Sequence, residues 1–131
     1  MCATPLKILV VDNEDFLRTL LDEILRTLGF QPAIYGDAQA AIEAFRDAMA
    51  GGEGFDLVVL DLRLAGEMDG VSLLRELRKT DPNVKALAIS GRLEEGLAVP
   101  PGFQGFLSKP FRIKALADAL TAVRNSVISP S

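Results

Sequence analysis

Residues 6–15, Leu6-Lys7-Ile8-Leu9-Val10-Val11-Asp12-Asn13-Glu14-Asp15, pass in one step from an aliphatic, β-branched run to a polar and acidic cluster. An apolar run this short, without alternation of polar residues, fits a strand buried on both faces and feeding a loop. The period then changes. Phe16, Leu17, Leu20, Leu21, Ile24, Leu25 and Leu28 recur at helical spacing as far as Gly29, a residue suited to ending a helix. A buried strand handing over to a helix through an acidic loop is the unit from which the rest of the chain is built.

The unit recurs along the sequence. Gln31 to Tyr35 reads as a brief strand, and Asp37 is placed to cap a helix carrying Ala41, Ile42, Ala44, Phe45 and Met49. Gly51-Gly52-Glu53-Gly54 ends that helix, and Phe55 to Leu60 forms a second strongly apolar strand that terminates on Asp61. After the loop 62–70, Val71, Leu73, Leu74 and Leu77 mark a helix closed by Asp81-Pro82. Val84 to Ile89 is the fourth strand, followed by Ser90-Gly91 and a weak segment from Arg92 to Val99 that Pro100-Pro101-Gly102 breaks. The fourth helix is therefore expected to be short or irregular. Phe103 to Leu107 supplies the fifth strand, and Ser108-Lys109-Pro110 opens a last helix with Ile113, Leu116, Ala117, Leu120 and Val123 on one face.

Five strands alternating with five helical segments specify an α/β fold: a doubly wound parallel sheet with helices on both faces. The 131 residues suit one domain, with a core over about residues 6–125. A hydrophobic share of 49% with 24% charged residues is that of a globular protein. The formal charge of −4 removes the electrostatic attraction on which nucleic-acid binding rests. The absence of histidine excludes imidazole chemistry, so a metal must be held by oxygen. The one cysteine, Cys2, has no partner for a disulfide. With no apolar run long enough to span a bilayer and no export signal at the N-terminus, a cytoplasmic protein is expected.

In parallel α/β sheets, ligands gather beyond the carboxyl ends of the strands. That rule selects Asp12, Asn13, Glu14, Asp61, Ser90 and Lys109. Two carboxylates ending neighbouring central strands repel each other unless a hard divalent cation such as Mg²⁺ neutralises them. Lys109 and Ser90 add a point charge and a hydroxyl donor suited to phosphoryl oxygens. Carboxylate, cation, hydroxyl and ammonium together describe phosphoryl capture, with an aspartyl phosphate as its covalent form.

The segments ILVVDNE, VVLDLRLAGEMDG, AISG and FLSKPF, in this order and over almost the whole chain, resemble the signature segments of response-regulator receiver domains from two-component phosphorelays. The resemblance implies a five-stranded sheet of order 2-1-3-4-5. It also implies that Asp61 is the phosphoacceptor, that Lys109 contacts the phosphoryl group, and that Ser90 and Phe106 form the switch pair. The Mg²⁺ pocket would comprise Asp12, Asn13, Asp61 and the backbone carbonyl of Arg63. The implied phosphodonor is a histidine kinase or histidine phosphotransfer protein, and the output a change in protein contacts.

The sequence departs from the family pattern in places. Asn13 stands where the family usually has an aspartate that ligates the metal, so weaker Mg²⁺ binding is expected. The loop after Asp61 has Ala65 where proline is common and is one residue longer than usual, at Glu67. Arg63 and Arg92, two residues beyond the acceptor and the hydroxyl, are placed to flank the phosphoryl group and slow its hydrolysis. Shortened fourth segments occur in receivers attached to hybrid kinases, so a stand-alone regulator and a part of a longer chain both remain open. A pseudo-receiver that binds partners without phosphate is the competing reading, favoured by Asn13. A flavin carrier would need a phosphate-cradling loop where Asp12-Asn13-Glu14-Asp15 stands, and a phosphatase a second carboxylate two residues beyond Asp61.

Overall fold

A computed structural model describes residues 6–64, 68–91 and 99–126. Five strands, β1 (Lys7–Val11), β2 (Gln31–Tyr35), β3 (Leu57–Asp61), β4 (Lys85–Ser90) and β5 (Gly105–Ser108), form one sheet in the order β2-β1-β3-β4-β5. Every pairing is parallel. The described helices are α1 (Asp15–Thr27), α2 (Ala38–Ala50), α3 (Gly70–Thr80) and α4 (Ile113–Arg124). The expected doubly wound architecture and strand order are both present. The segment read as a short fourth helix, with Arg92 at its start, lies at 92–98 outside the described residues, as do Ala65, Glu67 and Cys2.

Side chains alternate between the two faces of the sheet, and each face buries its own core. Ile8, Val10, Leu57, Val59, Leu87 and Ile89 pack with Leu21, Leu25, Leu116 and Leu120, placing α1 and α4 on one side. Leu9, Val11, Val58, Leu60, Ala86 and Ala88 pack with Ala41, Phe45, Leu73 and Leu77, placing α2 and α3 on the other. Ile8 to Val11 and Val58 to Leu60 are fully buried, which is why neither central strand alternates polar with apolar residues.

Helix α1 ends as its sequence predicts. Gly29 takes φ +92, and the N–H groups of Gly29 and Phe30 donate to the carbonyls of Arg26 and Leu25, the closing pattern of a helix whose next residue is left-handed.

Among the boundaries that differ from the sequence reading, three bear on the core and the site. Phe55 precedes β3 instead of opening it, and stacks on Phe45 with ring centroids 5.9 Å apart. Phe103 likewise sits before β5, buried as a core residue. The last helix starts at Ile113, because the Lys109 N–H still donates to Ser90 O at 2.8 Å and Arg112 remains extended. Lys109 thus continues the sheet ladder and cannot take helical geometry.

Candidate functional site

The register of β1 on β3 runs from Ile8 opposite Leu57 to Val11 opposite Leu60. One step further, Asp12 and Asp61 come side by side, Asp12 just past its strand and Asp61 as the last residue of its own. Both are buried, at 0% and 3% exposure. Ser90 ends β4 and is buried as well, and Lys109 follows β5. The topology therefore brings Asp12, Asp61, Ser90 and Lys109 to one edge of the sheet, where the sequence placed them.

Lys109 is the hub of this edge. Its Nζ lies 2.8 Å from Asp12 Oδ2, 3.0 Å from Glu14 Oε1 and 3.1 Å from Asp61 Oδ2. Three carboxylates thus share one ammonium, a formal surplus of two negative charges. Burial alone would lower the lysine's pKa, but hydrogen bonds to Asp12, Glu14 and Asp61 overcome it and raise Lys109 above the ordinary lysine value.

The opposite applies to Asp61. Burial pushes its carboxyl above the usual aspartate range; the Arg63 amide and Lys109 pull it back, and the charge of Asp12 adds to the rise. Both oxygens of Asp61 are held: Oδ1 accepts the Arg63 N–H at 3.0 Å and Oδ2 the Lys109 ammonium. The Asp61 carboxylate is consequently fixed in orientation.

Asp12 divides its oxygens between two tasks. Oδ1 accepts the Glu14 N–H at 2.8 Å and closes the turn into α1. Oδ2 is buried 2.8 Å from the Lys109 ammonium, with no other donor on it among the described residues. A buried carboxylate oxygen in that state is suited to a cation. Carboxylate oxygens of Asp12, Glu14 and Asp61 lie within 4.8 Å of one another, the only such acidic group among the described residues. This all-oxygen set matches the ligand preference of Mg²⁺.

The metal pocket implied by the resemblance includes Asn13 and omits Glu14. Asn13 is exposed, and the third carboxylate of the cluster is Glu14, whose side chain is 60% exposed yet reaches Lys109 across 95 positions of sequence. Its charge stands where the neutral Asn13 side chain brings none, so the weaker cation binding expected from Asn13 gains no support. Arg63 is exposed, and what it gives the site is its backbone N–H. Phe106 is half-buried and packs on the α2–α3 core.

Two further features escaped the sequence. Gly70, the first residue of α3, lies so close to β3 that a Cβ there would meet Asp61 O at 2.5 Å. Only glycine lets the α3 N-terminus sit against the Asp61 peptide. On the other side of the site, Phe16, Leu17, Leu20, Pro110 and Phe111 line an apolar groove of about 440 Å³ whose inner rim is Glu14, Gly91 and Lys109. Phe16 is 79% exposed there.

These features are those of a known class. The family description "response regulator receiver domain" matches residues 8–121, and the chain belongs to that family. It is 38% identical over 113 residues to sensor kinase CckA of Brucella abortus, a match covering 84% of this chain and 12% of that protein. Against chemotaxis protein CheY of Thermotoga maritima the identity is 28% over 123 residues, covering 89% of this chain and 96% of CheY. The receiver domain of sensor histidine kinase PA1611 from Pseudomonas aeruginosa, solved with a magnesium ion coordinated in its active site cleft, superposes with a TM-score of 0.79 at 24% identity over 94% of this chain and 100% of that one. The chain spans only a small part of CckA and nearly all of CheY. No helix among the described residues is long and apolar enough to cross a membrane.

Proposed function

We propose that the chain is a phosphoryl-accepting signalling switch in which Asp61 takes the phosphoryl group from a phosphohistidine of a histidine kinase or phosphotransfer protein. The observation that carries this reading is the state of Asp61: buried at the end of β3, with both oxygens held and two further carboxylates beside it. A carboxylate oxygen of Asp61 attacks phosphorus, the P–O bond forms as the P–N bond breaks, and the electron pair returns to the imidazole nitrogen, which is then protonated. Lys109, already aligned on Asp61 Oδ2, stabilises the incoming phosphoryl oxygens, and Ser90 at the adjacent strand end is the hydroxyl that follows them.

Asp12, Glu14 and Asp61 would hold Mg²⁺, with Asn13 and the Arg63 carbonyl as candidate neutral oxygens beside them. When bound, the cation neutralises the surplus carboxylate charge and the charge of the transferring group. The groove edged by Glu14 and Lys109 is where a protein donor would lay apolar side chains, beginning with Phe16, beside its phosphohistidine. Ser90 and Phe106 would carry the change outward, so the chain acts as a switch and not as a turnover enzyme. We read residues 1–131 as a single receiver unit.

Incubation with a small phosphodonor and Mg²⁺, read by intact mass, tests the proposal. Wild type is expected to gain one phosphoryl mass and Asp61→Asn none. No gain in wild type would overturn it and leave the phosphate-independent binding module that Asn13 favours.

A further inference from the structure

The loop that carries Asp12 and Glu14 is short of anchors. Glu14 stands at the N-cap of α1 without a side-chain cap, and the turn is closed by Asp12 Oδ1, an atom of the same carboxylate that the cluster uses. A cation that draws on Asp12 therefore pulls at the group that shapes the loop.

Arg18, one turn into α1, reaches back over this loop. Its Nη1 donates to the Asp12 carbonyl at 2.8 Å, its Nη2 meets the Asp15 carboxylate, and its backbone N–H donates to Glu14 O at 3.0 Å. The side chain is only 25% exposed. The guanidinium lies on Gly36, where a Cβ would come within 2.6 Å of Nη1 and 2.8 Å of Cζ. Gly36 follows Tyr35, whose carbonyl accepts the Asp12 N–H at 3.1 Å. One side chain thus ties the ends of β1 and β2 to the first turn of α1, and the bonds it makes there leave the carboxylate oxygens of the cluster free of it.

We propose that Arg18 is a positioning residue of the acidic cluster: laid on Gly36 and bonded to the Asp12 carbonyl, it holds Asp12 and Glu14 at cation-binding separation. The inference rests on the proposed function only in taking the cluster as a Mg²⁺ site. Groups that orient ligands from behind typically change metal affinity by 10- to 100-fold when removed.

Calorimetric titration with Mg²⁺ and Mn²⁺ tests it. Arg18→Ala is expected to bind either cation about tenfold more weakly than wild type, with Arg18→Lys recovering part of the loss through a single donor. Gly36→Ala, which keeps every ligand and displaces the guanidinium, shifts affinity in the same direction. Arg26→Ala, an exposed cation on the same helix paired with Asp22, leaves it unchanged. Metal-free thermal melts establish that each variant is folded; if Arg18→Ala is not, Arg18→Lys and Gly36→Ala decide. Wild-type affinity in the folded Arg18 and Gly36 variants overturns the inference and leaves the proposed function standing. Wild-type protein that binds no cation and gains no phosphoryl mass overturns both.

Discussion

Two partly buried cations sit at opposite ends of the sheet. At the carboxyl edge, Lys109 faces three carboxylates. At the amino edge, Arg78 in the last turn of α3 donates to neutral oxygens: Val84 O at 2.9 Å from Nη2, Gln104 Oε1 at 3.1 Å and the carbonyl of Gly102. Gln104 completes the arrangement, accepting from Ala86 N at 2.9 Å and donating to Gly102 O at 3.1 Å. Charge raises the pKa of Lys109, whereas burial lowers that of Arg78, with Asp81 opposing it weakly. The amino edge is a closed account of donors and acceptors. The carboxyl edge holds more negative charge than its lysine can satisfy, and that surplus is what a cation would neutralise.

Removing each cation should break the comparison in a different way. Lys109→Ala is expected to slow phosphoryl uptake from a small donor by roughly a hundredfold, since one preorganised donor to the transferring group is lost. A time course by intact mass measures this, and uptake within a few-fold of wild type would remove Lys109 from the chemistry. Arg78→Ala is expected to cost about 2 kcal/mol of stability, because Val84 O loses its guanidinium donor and Gln104 Oε1 one of its two donors. Urea denaturation reads it, while uptake by the protein that remains folded stays at the wild-type rate.

A smaller effect distinguishes surplus charge from satisfied charge. The raised pKa of Asp61 means that its ionised form costs stability above that pKa, and the cost disappears on acidification. Asp61→Asn is therefore expected to stabilise the metal-free protein at neutral pH by about 1 kcal/mol. Wild type at tenfold excess of Mg²⁺ over its dissociation constant should gain about 1.4 kcal/mol, and Asp61→Asn less. Thermal melts with and without the cation measure both, and equal responses would show that Asp61 is no ligand.

Helix α3 joins the two edges, with Asp69 capping its start by accepting from Ser72 N at 2.8 Å. The bonds to Ser72 hold the Asp69 carboxyl below its usual pKa. Its contribution is thus present above the ordinary aspartate value and is lost as pH falls through the lower, folded one. Asp69→Ala should cost about 1 kcal/mol at neutral pH, and the difference from wild type should vanish in strong acid. A gap that persists there would mean the cap acts by packing and not by charge.

The sequence by itself determined the architecture and half of the site. Unbroken apolar runs at Ile8–Val11 and Leu57–Leu60 required strands buried on both faces, and the acidic residues after them had to lie at one edge of a parallel sheet. Asp12, Asp61, Ser90 and Lys109 were legible because strand position alone places them. The Glu14–Lys109 contact, the Arg63 amide, Gly70, Arg18 and the Arg78–Gln104 pair were not. Glu14 meets Lys109, and Arg78 meets Gln104, through long side chains whose partners lie far away along the chain. Gly70 and Gly36 matter only through which atoms come to rest against them. Periodicity is set by local backbone sterics and can be read residue by residue, whereas these contacts exist only once the strands' order and register bring their ends together.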